Sequence, residues 1–292
     1  MNWRDVEPWQ PFSLVDMPTI GAPGYTHGLP QYSEGRPFRL GIIGDPVEHS
    51  LSPKMQVAAL TESGFDGEYI AIQVPNGELP DAIEHLRDLG FVGLNVTLPH
   101  KQHALLIEQG DATVRAVGAA NSIKIEKGDV FATNTDAIGF FRPIQDLLPG
   151  KALVLGAGGA AAAVVYALSE NDWDVQIWNR TAEKAEELAR RVAGTVYPEP
   201  DPTGCTLVVN ATSLGLHEGD RPQLIWENLE ENATVYDLAY RQGTTDFLQI
   251  AAQRGNQTID GKEMLVAQGA ASFHWWTGRK PSIEVMREAI GL

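Results

Sequence analysis

KALVLGAGGAAAAVVYALSE, Lys151 to Glu170, decides the fold. A strand-forming segment runs into Gly156, Gly158 and Gly159, and a long stretch of Ala, Val and Leu follows. The pattern is strand, glycine turn, helix. With Ala157 and Ala160 in the turn and Ala161 at the third glycine position, it matches the dinucleotide fingerprint. That fingerprint has a physical basis: the chain turns tightly, the backbone approaches a pyrophosphate, and the helix packs back on its strand. The helix start also presents free N–H groups and a partial positive charge to phosphate. Dinucleotide binding is the expectation, and a glycine turn that merely packs is the alternative.

The next strand selects the dinucleotide. About 20 residues past the glycines, an NAD protein carries an acidic side chain for the ribose 2′-hydroxyl. This chain has WNRT instead, with Asn179, Arg180 and Thr181. An arginine there suits a 2′-phosphate through charge-assisted hydrogen bonds and offers adenine a planar face. Lys184, one turn into the following helix, adds positive charge. NADP is expected over NAD, the alternative being solvated basic residues at a helix start.

Outward from this unit the alternation continues. WDVQIWNR, CTLVVNAT, ATVYDLAY and NQTID read as strands and TAEKAEELARRV as a helix. Upstream, FRLGIIG, EYIAIQV and FVGLNVTL read as strands. PKMQVAALTESG and LPDAIEHLRDLG read as helices ended by Gly64 and Gly90, and KQHALLIEQG as a further helix. NSIKIEKG and DVFATNT are short strands, and the chain closes with two helical patterns, MLVAQGAASFHWWTG and SIEVMREAIGL. Alternating strands and helices imply an α/β protein with mainly parallel sheets. The seam between the two blocks falls in DAIGFFRPIQDLLPG.

At 292 residues the chain is long for one core, so two domains are expected. The net charge of -16 argues against a nucleic-acid partner, which needs clustered Lys and Arg. No apolar run is long enough for a membrane span, and the N-terminus lacks the basic start and apolar stretch of a secretory signal. The single cysteine, Cys205, fits a reducing cytoplasm and reads as a small buried side chain. His100 and His103 stand three apart without a carboxylate, so no metal site is expected. Residues 1–37, rich in proline and glycine with scattered aromatics, suggest an extended arm, pinned or disordered.

The upstream block must supply the substrate site. GLNVTLPHKQHALL, Gly93 to Leu106, carries Asn95 and Thr97 in a strand that Pro99 ends and Lys101 just past it. HSLS, GAANS and NTD likewise follow or bound strands, so these clusters could converge at one sheet edge. Hydroxyls, amides, one ammonium and one carboxylate suit a polyhydroxylated, anionic small molecule. Singly, each serine or asparagine is more often a cap or turn residue.

Taken together these motifs resemble the shikimate dehydrogenases, NADP-dependent enzymes of aromatic amino-acid biosynthesis. From Phe38 to the C-terminus the family's motifs stand in order: GDPVEHSLSP, NVTLPHK, GAANS, NTD, LGAGGAA, NRT, NATSLG, DLAY and MLVAQGA. The resemblance implies a substrate domain over 38–137, to which C-terminal helices in 266–292 return, and a doubly wound NADP domain over 138–265. It implies that Ser50 and Ser52 bind the substrate carboxylate and that Thr97, Asn121, Asp136 and Gln268 hold ring hydroxyls. Tyr240 would contact substrate near the nicotinamide, and Lys101 and Asp136 would form the catalytic pair. Gly156, Ala157, Gly158, Gly159, Ala160, Asn179, Arg180, Thr181, Lys184, Leu238 and Gly261 would line the NADP site. Asn210, Thr212 and Ser213 would lie beside the cofactor. The implied reaction is reversible NADPH-dependent reduction of 3-dehydroshikimate to shikimate by a cytoplasmic monomer or homodimer.

The proton chemistry follows without the family. Reducing a ketone by hydride leaves negative charge on oxygen, so a proton donor must stand beside it. A protonated lysine donates and a neighbouring carboxylate orients it, without metal or covalent intermediate.

The chain departs from the family pattern at Gln56 and Val57, in place of histidine-asparagine, and at Ala132 and Ala137, in place of glycines. Gln242 replaces a proline, and Lys262 falls within GKEM. These bear on fine specificity and rate, not on the reaction class. The runner-up is a quinate/shikimate dehydrogenase using NAD or NADP, against which WNRT and the paired serines argue. A silent NADP-binding regulator is opposed by the presence of both Lys101 and Asp136.

Overall fold

A computed structural model describes residues 38–292, so the expected N-terminal arm lies outside the described residues. The described chain divides into two compact units, one of residues 38–135 with 269–292 and one of residues 136–268.

In the first unit, β1 (Phe38–Gly44) is buried at every position, as a strand covered on both faces requires. It pairs in parallel with β2 (Gly67–Gln73) and β3 (Phe91–Val96). β3 then pairs antiparallel with β5 (Ser122–Glu126), and β5 with β6 (Asp129–Thr133). With β4 (Gln109–Gly110) at the edge, the order is β2-β1-β3-β5-β6-β4. Lys127 and Gly128 join β5 to β6 with φ of 54° and 90°, the paired positive φ values that match a two-residue hairpin to strand twist.

The helices α1 (Ser52–Glu62) and α2 (Leu79–Asp88) begin with Pro53 and Pro80, where proline loses no intrahelical bond. Gly64 and Gly90 follow their ends with φ of 72° and 83°, as the sequence leads one to expect. The stretch KQHALLIEQG departs from expectation. It forms a turn, one 3₁₀ segment (His103–Leu106) and β4 instead of an α-helix. Of its apolar side chains only Ala104 is fully buried, while Leu105 and Leu106 face solvent, so no packed stripe sustains a helix there. A helix passed over in the sequence, α3 (Ala112–Val117), is capped by Asp111, which accepts from the Val114 N–H at 2.9 Å.

C-terminal residues complete this unit's core. The buried Trp276 donates its indole N–H to the Ile123 carbonyl at 2.8 Å. Gly93 makes room for that ring, because an added Cβ would stand 2.6 Å from it. Truncating such a side chain to alanine costs roughly 3–5 kcal/mol. The helix α9 (Ile283–Ala289) packs on α1.

The second unit is a fully parallel sheet of β7 (Lys151–Leu155), β8 (Asp174–Trp178), β9 (Thr195–Val196), β10 (Leu207–Asn210), β11 (Thr234–Asp237) and β12 (Gln257–Asp260). The order β12-β11-β10-β7-β8-β9 is doubly wound and reverses direction between β7 and β10. Its helices are α4 (Asp136–Phe141), α5 (Gly159–Ser169), α6 (Ala182–Arg191) and α7 (Asp246–Gln253). The division between units falls within α8 (Gly261–Thr277), at Gln268 and Gly269. Phe140 of α4 stacks on Tyr236 of β11 at 5.2 Å between ring centroids. The expected α/β class with a doubly wound dinucleotide-type domain is the observed one.

Candidate active site

In the first unit the polar clusters gather where β1, β3, β5 and β6 meet. After β3, pairing continues for two residues: Thr97 N–H donates to Ile43 at 2.8 Å and Asp45 N–H to Leu98 at 2.9 Å. His100 N–H donates to the Thr97 carbonyl at 2.9 Å and closes the turn that presents Lys101. The His100 ring is fully buried, with Nε2 at 2.7 Å from the Val74 carbonyl. A carbonyl only accepts, so Nε2 carries the proton. The Ala120 N–H donates to the Lys101 carbonyl at 2.9 Å, next to Asn121 in the chain. Lys101 is therefore tied through its carbonyl to Ala120 and follows directly on a closed turn, although it sits in a turn and not on a helix.

Asn121 is almost wholly buried, its backbone joined to Val96 and Thr133 and its Oδ1 accepting from Thr135 N–H at 2.6 Å. Ser52 N–H donates to Ser50 Oγ at 3.2 Å, so the two serines share one turn at the start of α1. Gln56, one turn further, is buried and donates to the Gly269 carbonyl at 2.9 Å, anchoring α1 on the residue after Gln268. Val57 is exposed.

In the second unit, Asp136 opens α4, and Gln268 lies against the same helix. A Cβ on Gly139 would meet Gln268 Cβ at 2.5 Å and its backbone N at 2.8 Å, so only glycine admits this approach. The glycine turn follows β7. Gly156 has φ 118°, and a Cβ there would meet the Ala211 carbonyl oxygen at 2.9 Å and Thr212 Cγ2 at 3.1 Å. Gly158 faces open space, and no side chain caps the α5 N-terminus that begins at Gly159 with Ala160. Gly156 N–H donates to Trp178 at 2.8 Å, placing the end of β8 beside the turn. Beyond it Asn179 donates to the Thr181 carbonyl at 2.8 Å, and Arg180 and Lys184 are exposed. An open glycine turn, uncapped helix amides and two exposed cations form a cradle that fits a phosphorylated dinucleotide.

Three more segments meet at the same end of the sheet. Asn210 Oδ1 accepts from the N–H and hydroxyl of Thr212, setting the turn that carries Ser213. Leu238 N–H donates to the Asn210 carbonyl at 2.9 Å, and Tyr240 follows two residues on. Burial raises the Tyr240 phenol pKa above its ordinary value. Gly261 sits against the Leu238 carbonyl so closely that any Cβ would overlap it. Sequence reading gave no individual role to Asp237, which joins these loops, or to Tyr69, Asn95, Thr135 and Ser272 in the first unit. Their partners lie up to 177 residues away, beyond any local pattern.

The described residues hold no group of three or more His, Cys, Asp or Glu able to bind a metal ion. Among them no helix is long and apolar enough to cross a membrane.

Three family profiles match the chain. They are the shikimate dehydrogenase substrate binding domain over residues 42–123, shikimate / quinate 5-dehydrogenase over 142–200, and the shikimate 5′-dehydrogenase C-terminal domain over 261–290. The chain is 42% identical over 261 residues to the shikimate dehydrogenase (NADP(+)) of Methanocella arvoryzae, covering 85% of this chain and 96% of that protein. The chain belongs to the shikimate dehydrogenase family. Among shikimate dehydrogenases of known structure, the enzyme from Thermus thermophilus in complex with NADP(H) and shikimate superposes with TM-score 0.82 at 38% identity. That match covers 87% of this chain and 98% of the other. The 5-ketofructose reductase of a Gluconobacter strain is also similar, with TM-score 0.81, 30% identity and coverage of 88% and 98%. Within this shikimate dehydrogenase fold, Ser50, Ser52, Thr97, Lys101 and Asn121 belong to one unit. Asp136, Tyr240, Gln268 and the cofactor-site candidates belong to the other.

Proposed function

We propose that this chain catalyses the reversible NADPH-dependent reduction of 3-dehydroshikimate to shikimate, with Lys101 as proton donor and Asp136 as the carboxylate that orients it. The observation that supports the residue roles is the closed turn after β3, where His100 bonds Thr97 and the Lys101 carbonyl bonds Ala120, the residue before Asn121. Ser50 and Ser52 receive the substrate carboxylate, and Thr97, Asn121, Asp136 and Gln268 the ring hydroxyls. Tyr240 closes the substrate side near the nicotinamide.

Gly156 to Ala160 and the α5 amides receive the pyrophosphate, with Thr212, Ser213, Leu238 and Gly261 lining the cofactor. Arg180 and Lys184, with Asn179 and Thr181, receive the 2′-phosphate. NADPH, when bound, supplies the hydride. The Lys101 ammonium gives its proton to the ketone oxygen as charge develops there, and in the reverse direction the neutral amine takes the alcohol proton. No other group on the chain is required for proton transfer.

A quinate/shikimate dehydrogenase is the second reading, favoured by the family profile that covers 142–200. Initial rates at the nicotinamide absorbance band, crossing shikimate and quinate with NADP and NAD, separate the two. Fast turnover with shikimate and NADP alone supports the first reading. Comparable turnover with quinate or NAD moves the protein to the second.

A further inference from the structure

The first unit contains a buried chain of polar side chains that runs from Tyr69 to the substrate-site candidate Asn121. The Tyr69 hydroxyl donates to Asn95 Oδ1 at 2.8 Å. Asn95 Nδ2 donates to Ser272 Oγ at 3.0 Å and to the Asn121 carbonyl at 3.2 Å. Ser272 Oγ stands 3.0 Å from Thr135 Oγ1, and Thr135 Oγ1 lies 3.2 Å from Asn121 Oδ1. All these residues are at most 5% exposed.

The orientation of both amides can be assigned. The Asn121 carbonyl can only accept, so the nitrogen of Asn95 faces it and the oxygen of Asn95 faces Tyr69. The Thr135 N–H can only donate, at 2.6 Å, so Asn121 turns its Oδ1 toward Thr135. Between these two fixed amides, Ser272 accepts from Asn95 Nδ2 and its hydroxyl bonds that of Thr135, while Thr135 Oγ1 also lies 3.0 Å from Asn121 Nδ2 and so closes the chain on both atoms of the Asn121 amide. Flipping Asn95 would set its oxygen against the Asn121 carbonyl, and flipping Asn121 would set its NH₂ against the Thr135 N–H. Such a chain is cooperative, because each bond polarises the next, and a single gap leaves buried groups unpaired.

We propose that this buried chain is the positioning element of the substrate site. Tyr69, Ser272 and Thr135 act as positioning residues that fix the orientation of Asn121. Ser272 joins the two halves of the chain, bringing a C-terminal residue against Asn95 of β3 and against Thr135, the residue before Asp136. The proposal deepens the reading above and rests on its assignment of Asn121 to shikimate.

The test is steady-state kinetics on Tyr69→Phe, Ser272→Ala and their double variant, with wild type alongside. Each single variant is expected to raise KM for shikimate about 5–20-fold, with kcat within about threefold of wild type and KM for NADP unchanged. The double variant should resemble the worse single one, because either cut breaks the same chain. Thr135→Ser, which keeps the hydroxyl, should stay near wild type, whereas Thr135→Val should raise KM. Unchanged KM with only a lowered Tm would overturn the proposal and make these residues plain core. Additive effects in the double variant would overturn the single-chain account. Absence of shikimate turnover in wild type would instead overturn the functional reading, and the proposal with it.

Discussion

Asn210 donates its side-chain amide to Asp237 Oδ1 at 2.7 Å, linking the carboxyl ends of two neighbouring parallel strands. The same oxygen accepts from Ala239 N–H at 3.0 Å, and Oδ2 accepts from the Thr245 hydroxyl at 2.6 Å. Asn210 also donates to the Leu214 carbonyl at 2.8 Å. One fully buried carboxylate thus gathers the loops that carry Thr212, Ser213 and Tyr240. Burial pushes its pKa up to about 6, outweighing the three hydrogen bonds that favour the charged form.

The sign of the resulting pH dependence is set by that rise. A carboxyl that holds its proton more tightly folded than unfolded stabilises most below the unfolded value of 3.8, and the contribution is lost as pH rises through about 6. Asp237→Asn removes the titration and leaves a carbonyl to accept from Asn210 and Ala239. Urea unfolding should show wild type losing on the order of 3 kcal/mol relative to Asp237→Asn between pH 4 and pH 7. A difference that stays constant over that range would contradict the assignment.

Arg180 stands exposed just beyond β8, where the chain turns into α6 with Lys184 beside it. If its guanidinium receives the 2′-phosphate, Arg180→Ala raises KM for NADP by on the order of tenfold or more and leaves KM for NAD nearly unchanged. Equal effects on the two cofactors would place the 2′-phosphate elsewhere.

Much of this architecture is legible in the sequence, for local reasons. Gly64 and Gly90 mark helix ends because positive φ follows the last turn, and Gly156 marks the dinucleotide turn because the backbone of Ala211 lies where a Cβ would stand. The sequence misleads where spacing is right but packing is missing. KQHALLIEQG has helical periodicity, yet Leu105 and Leu106 find nothing to bury against. Two-residue strands such as β4 and β9 are too short to show alternation. The site itself is legible only as clusters. That Ser272 bonds Asn95, or Thr245 bonds Asp237, depends on tertiary placement that no periodicity encodes.

The central claim is that Lys101 carries the proton, and the turnover of Lys101→Ala tests it most directly. The account predicts a fall in kcat on the order of 10²–10⁴ with a modest change in KM for shikimate, while NADP binding is retained. Lys101→Arg should be nearly as slow, because a guanidinium keeps its charge but does not release its proton at neutral pH. Near-normal kcat in Lys101→Ala would remove this residue from the mechanism and contradict the account.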